Sequence, residues 1–269
     1  MKGMKTKLPI GIFLASCLLG FGCSAPVAVS PTTTSSPFQN FKVVDLTHTY
    51  EANIPIYPGG APFVLQNMEP IENGYYLNKF STGEHTGTHV DAPSHFLKGG
   101  KNIDELPLES LMGPLVVIDV TKKADTQSDL AVSTEDITAW EKDNGRIPAG
   151  AFVVENSGWW KRWSDPKRYL NSNTQQVMAF PGFSEEAVDF LVRERDVKGV
   201  GVDTLSGDKG SSQTFPEHHR LLGAGRVNLE NLTNLDLVPA KGAYLIVAPM
   251  KIGTGSGGPA RIFALVPSK

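Results

Sequence analysis

Residues 85–96 read His85-Thr86-Gly87-Thr88-His89-Val90-Asp91-Ala92-Pro93-Ser94-His95-Phe96, and three of the chain's six histidines fall within them. Only some backbone shapes let these side chains meet. A helix would put His85 and His89 on one face but turn Asp91 away from it. Gly87 and Pro93 also oppose a helix here. A straight strand would put His85, His89, Asp91 and His95 on one face. It would separate His85 from His89 by roughly 13 Å, too far to share one ion at about 2.1 Å from each. The chain must therefore bend between them, and Gly87 is placed to allow it. The result is a looped His85/His89/Asp91 site, with His95 arriving after the turn at Pro93. Three protein ligands leave a coordination position open, the pattern of a catalytic rather than a structural site. Histidine with carboxylate is the usual donor set for zinc and manganese. A lone histidine reads as a hydrogen-bonding core or loop residue; the spacing His-x3-His-x-Asp-x3-His is what shifts the reading to a metal. His48 reads either as a supporting partner of the site or as a turn residue. His218 and His219 are adjacent.

Around this loop the chain alternates short β-rich runs with helices. Strands are expected at Leu115–Val120, Ala151–Val154, Val200–Asp203, Ala243–Ala248 and Ile262–Val266. Ser133 before Thr134-Glu135-Asp136 predicts a capped helix through Trp140 to about Asp143, ended by Gly145 and Pro148. Ser184 opens a second helix, with Ala187, Val188, Leu191 and Val192 as its apolar stripe. Interleaved strands and helices give an α/β or mixed α+β fold in a single domain.

The chain has 269 residues, 40% hydrophobic and 20% charged, a globular composition. Its formal net charge is −3, with no basic block outside the extreme N-terminus, so nucleic acid is not an expected partner. Cys17 and Cys23 are the only cysteines, which excludes a disulfide framework and a Cys-rich zinc fold. Met1–Lys7 holds three lysines and no acid, and Leu8–Gly22 is an apolar run broken only by Pro9 and Ser16. Residues 1–22 thus read as a lipoprotein signal peptide, 23–40 as a Ser/Pro/Thr-rich linker and 41–269 as the folded domain. Leu14-Ala15-Ser16 before Cys17 has the better lipobox residues; the tether starting directly after Cys23 favours Cys23 as the lipidation site. Acylation there would anchor the protein to a membrane. An ordinary cleaved signal would leave it periplasmic or extracellular. Cleavage before Cys23 would leave the mature chain at most one cysteine, which suits an oxidising compartment.

The run His85–Phe96 resembles the signature of the metal-dependent hydrolase family named after putative cyclases, which includes bacterial kynurenine formamidases and isatin hydrolases. Asp45-Leu46-Thr47-His48, Tyr57-Pro58-Gly59, Ser157-Gly158-Trp159, Pro181-Gly182-Phe183-Ser184, Gly201-Val202-Asp203-Thr204, His218-His219-Arg220-Leu221-Leu222 and Leu229-Glu230-Asn231-Leu232 resemble further family blocks in the same order. The resemblance runs from about Phe41 to Val266. It implies a swivelling β/β/α fold, a homodimer or homotetramer, and hydrolysis of amide-type bonds in a small-molecule substrate. It implies His85, His89 and Asp91 as primary metal ligands and His95 as the catalytic histidine. His218 and Glu230 match ligands of a second ion; His218 is preferred over His219 on the His-x-x-Leu-Leu pattern. One or two divalent ions are expected, zinc first and manganese next. The export signal departs from the family's cytoplasmic enzymes of tryptophan breakdown. Glu84 finds no place in the pattern beyond a solvated loop acid. Trp159, Trp160 and Trp163 are candidates to wall an aromatic pocket, or to pack in the core or at a subunit interface.

Two classes of function follow: a hydrolase, or a non-catalytic metal-binding lipoprotein on the same fold. A lyase or cyclase acting on a carbonyl substrate is the alternative within enzymes. His95, standing beyond the ligand set, favours a catalyst, because a metal carrier has no need of it.

Overall fold

Period-two alternation builds the centre of the molecule. The computed structural model describes residues 39–268. Its strands are β1 (Phe41–Asp45), β2 (Val64–Glu69), β3 (Leu77–Ser81), β4 (His89–Asp91), β5 (Met112–Asp119), β6 (Ala131–Val132), β7 (Phe152–Asn156), β8 (Gly182–Phe183), β9 (Gly199–Gly201), β10 (Val227–Glu230), β11 (Ala243–Pro249) and β12 (Gly257–Pro267). The helices are α1 (Thr121–Ala124), α2 (Thr134–Asn144), α3 (Pro166–Leu170), α4 (Glu185–Arg195) and α5 (Pro216–Gly223).

The main sheet runs β1-β12-β11-β5-β7-β9-β10-β4, and β4 also pairs with β12. Seven strands therefore close into a barrel, with β1 added along β12. Closure leaves few open edges. Long β12 makes it possible: Gly257–Pro259 pairs with β4, while the rest pairs with β11 and β1. β5, β7, β9 and β10 run parallel; the other pairings are antiparallel. Alternate residues divide two cores. Leu115, Val117, Phe152, Val154, Val90, Leu229, Leu245 and Ile262 fill one. Val116, Ile118, Val153 and Val200 face the other, against Ile137 of α2 and Ala187, Val188 and Leu191 of α4.

The two expected helices are α2 and α4. Ser133 caps α2 in a capping box with Asp136, and Ser184 caps α4 through the Ala187 amide. The expected strands fall on β5, β7, β9, β11 and β12. β9 ends at Gly201, so Val202 and Asp203 lie beyond it. β12 begins at Gly257, earlier than Ile262, because Gly257, Gly258 and Pro259 pair with β4 although they read as turn residues. The hairpin β2–β3 stands apart from the main sheet. No helix among the described residues is long and apolar enough to cross a membrane. The expected signal peptide with Cys17, the candidate lipidation site Cys23 and the tether to residue 38 lie outside the described residues.

Candidate active site

Two short strands place most of the polar cluster. In the antiparallel register of β4 with β10, His89 is opposite Glu230 and Asp91 is opposite Asn228. Val90 and Leu229 point into the barrel core. Alternation therefore puts His89, Asp91, Asn228 and Glu230 together on the other face. All four are buried. His89 Nε2 is 3.1 Å from Asp91 Oδ1 and 3.4 Å from Glu230 Oε2. Asn228 Nδ2 donates to Asp91 Oδ2 (3.1 Å) and to Glu230 Oε1 (2.8 Å), spending both its protons on holding the carboxylates side by side.

The bend before β4 brings His85 back. Gly87 has φ +69°, and a Cβ there would sit 2.6 Å from the Tyr50 ring, so both backbone and space require glycine. His85 Nδ1 then lies 2.6 Å from Asp91 Oδ1, and the His85 and His89 rings meet edge to face at 5.3 Å. After β4, a single 3-10 turn over Pro93–His95 returns His95 to the same place. Its ring stacks on His85 and keeps an edge open to solvent. Desolvation of that stacked ring, with the neighbouring imidazoles, lowers His95 to about 4 against the pull of Asp91, so it is neutral at pH 7.

Helix α5 covers the cluster and contributes His218, which is buried, whereas His219 is exposed. His218 Nε2 is 3.2 Å from Glu230 Oε1 and 3.5 Å from Asp91 Oδ2. Its Nδ1 hydrogen-bonds Asp208 Oδ2 at 2.7 Å, and Glu217 Oε2 lies 3.0 Å from the same nitrogen. Asp208 accepts from the Glu217 amide (3.0 Å), which ties its loop to the start of α5. Burial raises Glu217 to about 7, against the pull of His218.

The donors fit a divalent cation. His89 Nδ1 donates to the Gly87 carbonyl at 2.9 Å, which leaves the lone pair on Nε2. That Nε2 is buried without a hydrogen-bond partner, and it faces two carboxylate oxygens. Burial alone would lower His89; Asp91 and Glu230 overcome it and raise the group to about 9. The surroundings thus demand positive charge at that nitrogen, which a divalent cation supplies. His85/Asp91/His95, His89/Asp91/Glu230 and Asp208/Glu217/His218 are each clustered closely enough to share an ion.

A cavity of about 400 Å³ opens over the cluster, lined by the polar His85, Asp91, His95, His218 and Glu230 and by the apolar Tyr57, Phe96, Leu205 and Phe215. None of the three tryptophans lines it. Trp159 is buried in a separate core with Tyr169, Phe180 and Leu205, against which Trp163 packs, while Trp160 is absent from the cavity wall. Trp163 stacks on His48 at 3.9 Å, and burial lowers His48 to about 3. His48 supports the loop through its backbone, its amide donating to Thr88 Oγ1 at 2.9 Å. Sequence reasoning missed Asn228, Asp208, Glu217 and the aromatic wall. Asn228 stands two residues before Glu230, a spacing that gains meaning only once β10 is known to be a strand.

A family model described as Putative cyclase matches residues 44–209. The chain is 38% identical over 245 residues to the isatin hydrolase of Roseibium aggregatum, covering 84% of this chain and 92% of that one. It is 32% identical over 223 residues to the kynurenine formamidase of Salinibacter ruber, covering 81% and 95%. Among solved structures, an isatin hydrolase bound to the product analogue thioisatinate superposes with a TM-score of 0.80 at 32% identity, covering 85% and 94%.

Proposed function

We propose, because this chain belongs to the putative cyclase family, that it is an exported, metal-dependent hydrolase cleaving an arylformamide or a cyclic amide fused to an aromatic ring. The chain is a hydrolase acting on carbon–nitrogen bonds other than peptide bonds, in keeping with relatives named isatin hydrolase and kynurenine formamidase. The observation that carries the finer reading is the mixed lining of the cleft, where His, Asp and Glu donors and the rings of Tyr57, Phe96 and Phe215 border the same cavity of about 400 Å³. That volume suits one small ring system, and the aromatic wall suits its face.

His85, His89 and Asp91 would hold the first ion, and His218 with Glu230 and the shared Asp91 a second, zinc before manganese. A divalent ion at such a site polarises a carbonyl and lowers the pKa of bound water from 15.7 toward about 7. Neutral His95 accepts a proton from the attacking water on an imidazole nitrogen and returns it to the leaving nitrogen. Asn228 keeps Asp91 and Glu230 adjacent.

The membrane attachment rests on the Lys-rich start, the apolar run and the tether after Cys23. The homodimer or homotetramer is supported by the hairpin β2–β3, where Leu65, Ile71, Tyr75, Tyr76 and Phe80 are each at least 50% exposed. Such an isolated two-stranded ribbon gains stability from being covered.

The test is elemental analysis of the purified protein followed by assays on N-formyl aromatic amines, cyclic amides, lactones and simple esters. Metal-dependent turnover of the first two classes is expected. Full metal content with no turnover of any class would instead favour the non-catalytic metal-binding lipoprotein.

A further inference from the structure

Glu84 precedes the histidine loop and has no role in the chemistry above. Its carboxylate turns toward the glycine-rich segment Gly253-Thr254-Gly255-Ser256-Gly257-Gly258, where Oε2 accepts from Ser256 Oγ at 2.7 Å and from the Ser256 amide at 3.0 Å. Ser256 Oγ lies 2.9 Å from His85 Nε2. Backbone bonds on both sides fix the serine: the Ile103 amide donates to the Gly255 carbonyl and the Ala92 amide to the Ser256 carbonyl, each at 2.9 Å. Gly257 lets the ring approach, since a Cβ there would stand 2.6 Å from His85 Cε1. The segment reads in sequence as a flexible turn; in the fold it is a cradle for one imidazole.

Counting protons along this row gives its direction. The Ser256 hydroxyl has a single proton, and the 2.7 Å bond to Glu84 Oε2 takes it. The serine oxygen then has only lone pairs to offer His85, so Nε2 must carry the proton and donate it. That leaves the lone pair on Nδ1, the nitrogen 2.6 Å from Asp91 Oδ1. His89 has its tautomer set by the Gly87 carbonyl, and His218 by the Asp208 and Glu217 carboxylates. For His85 the acceptor is a serine whose own proton is spoken for by a carboxylate.

We propose that Glu84 is a positioning residue that acts through Ser256 to hold His85 in the Nε2–H tautomer, with Nδ1 turned to the ion. The proposal rests on the reading of His85 as a metal ligand. Outer partners of metal-bound histidines orient the ring and raise its basicity, and their loss costs about 10–100-fold in metal affinity. Glu84 does this at the rim of the cleft, where its side chain is 35% exposed.

The experiment measures zinc affinity of the full chain by competition with a chromophoric chelator, for Glu84→Ala, Ser256→Ala, the double variant and His85→Ala. Each of the first two should weaken zinc binding by about 10–100-fold. The double variant should lose no more than the worse single one, because the two act as one unit. Nitrogen-15 spectra of zinc-loaded protein with labelled histidine should show the His85 proton on Nε2. Unchanged affinity in both single variants, multiplied losses in the double variant, or a proton on Nδ1 would overturn the relay. If His85→Ala binds zinc like the parent, the ligand assignment itself fails and the relay with it. A weakened His85→Ala beside normal Glu84 and Ser256 variants refutes the relay alone. Should the alanine variants not fold, Glu84→Gln decides: it keeps the shape but loses the charge, and its zinc affinity should drop by up to about 10-fold, an unchanged value counting against the proposal.

Discussion

The imidazole of His95 lies face to face on that of His85, centroids 3.9 Å apart and planes 21° from parallel. A stacked ring at the mouth of the cleft is placed to shuttle a proton, yet it is also near enough to Asp91 to share an ion with it. His95→Ala separates the roles. A proton shuttle predicts a loss of turnover of about 10²–10⁴-fold with the metal content of the protein unchanged. Elemental analysis beside steady-state kinetics reads both; metal lost in proportion to activity would make His95 a ligand.

Asp91 faces three histidines and Glu230 two. Asp91 presents Oδ1 to His85 and His89 and Oδ2 to His218, while Glu230 presents Oε2 to His89 and Oε1 to His218. His89→Ala should therefore abolish the tight ion, and Asp91→Ala should empty both positions. His218→Ala should spare the first ion. Glu230→Ala should remove the second and also weaken the first, since its carboxylate spans both. Metal stoichiometry after dialysis checks the series, and full occupancy in the His89→Ala protein would show the primary site to be misassigned.

What the sequence made legible follows from how local each signal is. The bend at Gly87 was readable because two histidines four residues apart cannot share an ion along a straight strand. The helices at Ser133 and Ser184 announce themselves by their caps. Strands β4 and β10 did not, since a run of three or four residues is too short to show alternation. Yet their register is what sets Glu230 opposite His89. Asp208 and Glu217 were invisible for another reason. Each takes its meaning from the Nδ1 of His218, to which only the folded loop and α5 bring them. The tryptophans stayed open between pocket wall and core packing because an aromatic cluster reads alike in either place; the fold puts Trp159 and Trp163 in a core.

Membrane attachment has a direct assay. Cells fed labelled fatty acid should transfer label to the protein, and Cys23→Ser should stop it. Continued labelling of that variant would move the site to Cys17. Absence of label from the parent protein would end the lipoprotein reading.

The hairpin β2–β3 gives the oligomer a test of its own. Tyr76 is 63% exposed and Phe80 50% exposed on a ribbon that shares no hydrogen bonds with the barrel sheet. If a second subunit covers them, Tyr76→Glu or Phe80→Glu places a charge in an apolar contact. Light scattering coupled to size exclusion should then show the parent as a dimer or tetramer and the variants shifted toward monomer. A monomeric parent, or variants of unchanged mass, would remove the hairpin from the interface.

Glu155 lies in β7 opposite Ile118, fully buried, and neither carboxylate oxygen has a hydrogen-bond partner. Burial first, and then the charges of Asp203 and Asp136, push its carboxyl well above 4.5. In the unfolded chain the same group titrates near 4.3. The fold therefore binds a proton that the unfolded chain releases, and the sign follows. The contribution is fully present below about pH 4.3 and is lost as pH rises toward the folded value, by up to about 1.4 kcal/mol per pH unit. Glu155→Gln has no proton to lose. Its buried amide carries a pH-independent cost, so the readout is the slope of Tm against pH rather than the offset. Between pH 5 and 8 the parent should lose Tm relative to Glu155→Gln, by roughly 2–4 °C for each kcal/mol at this chain size. Parallel Tm curves would mean that Glu155 is ionised in the fold and has found a partner there.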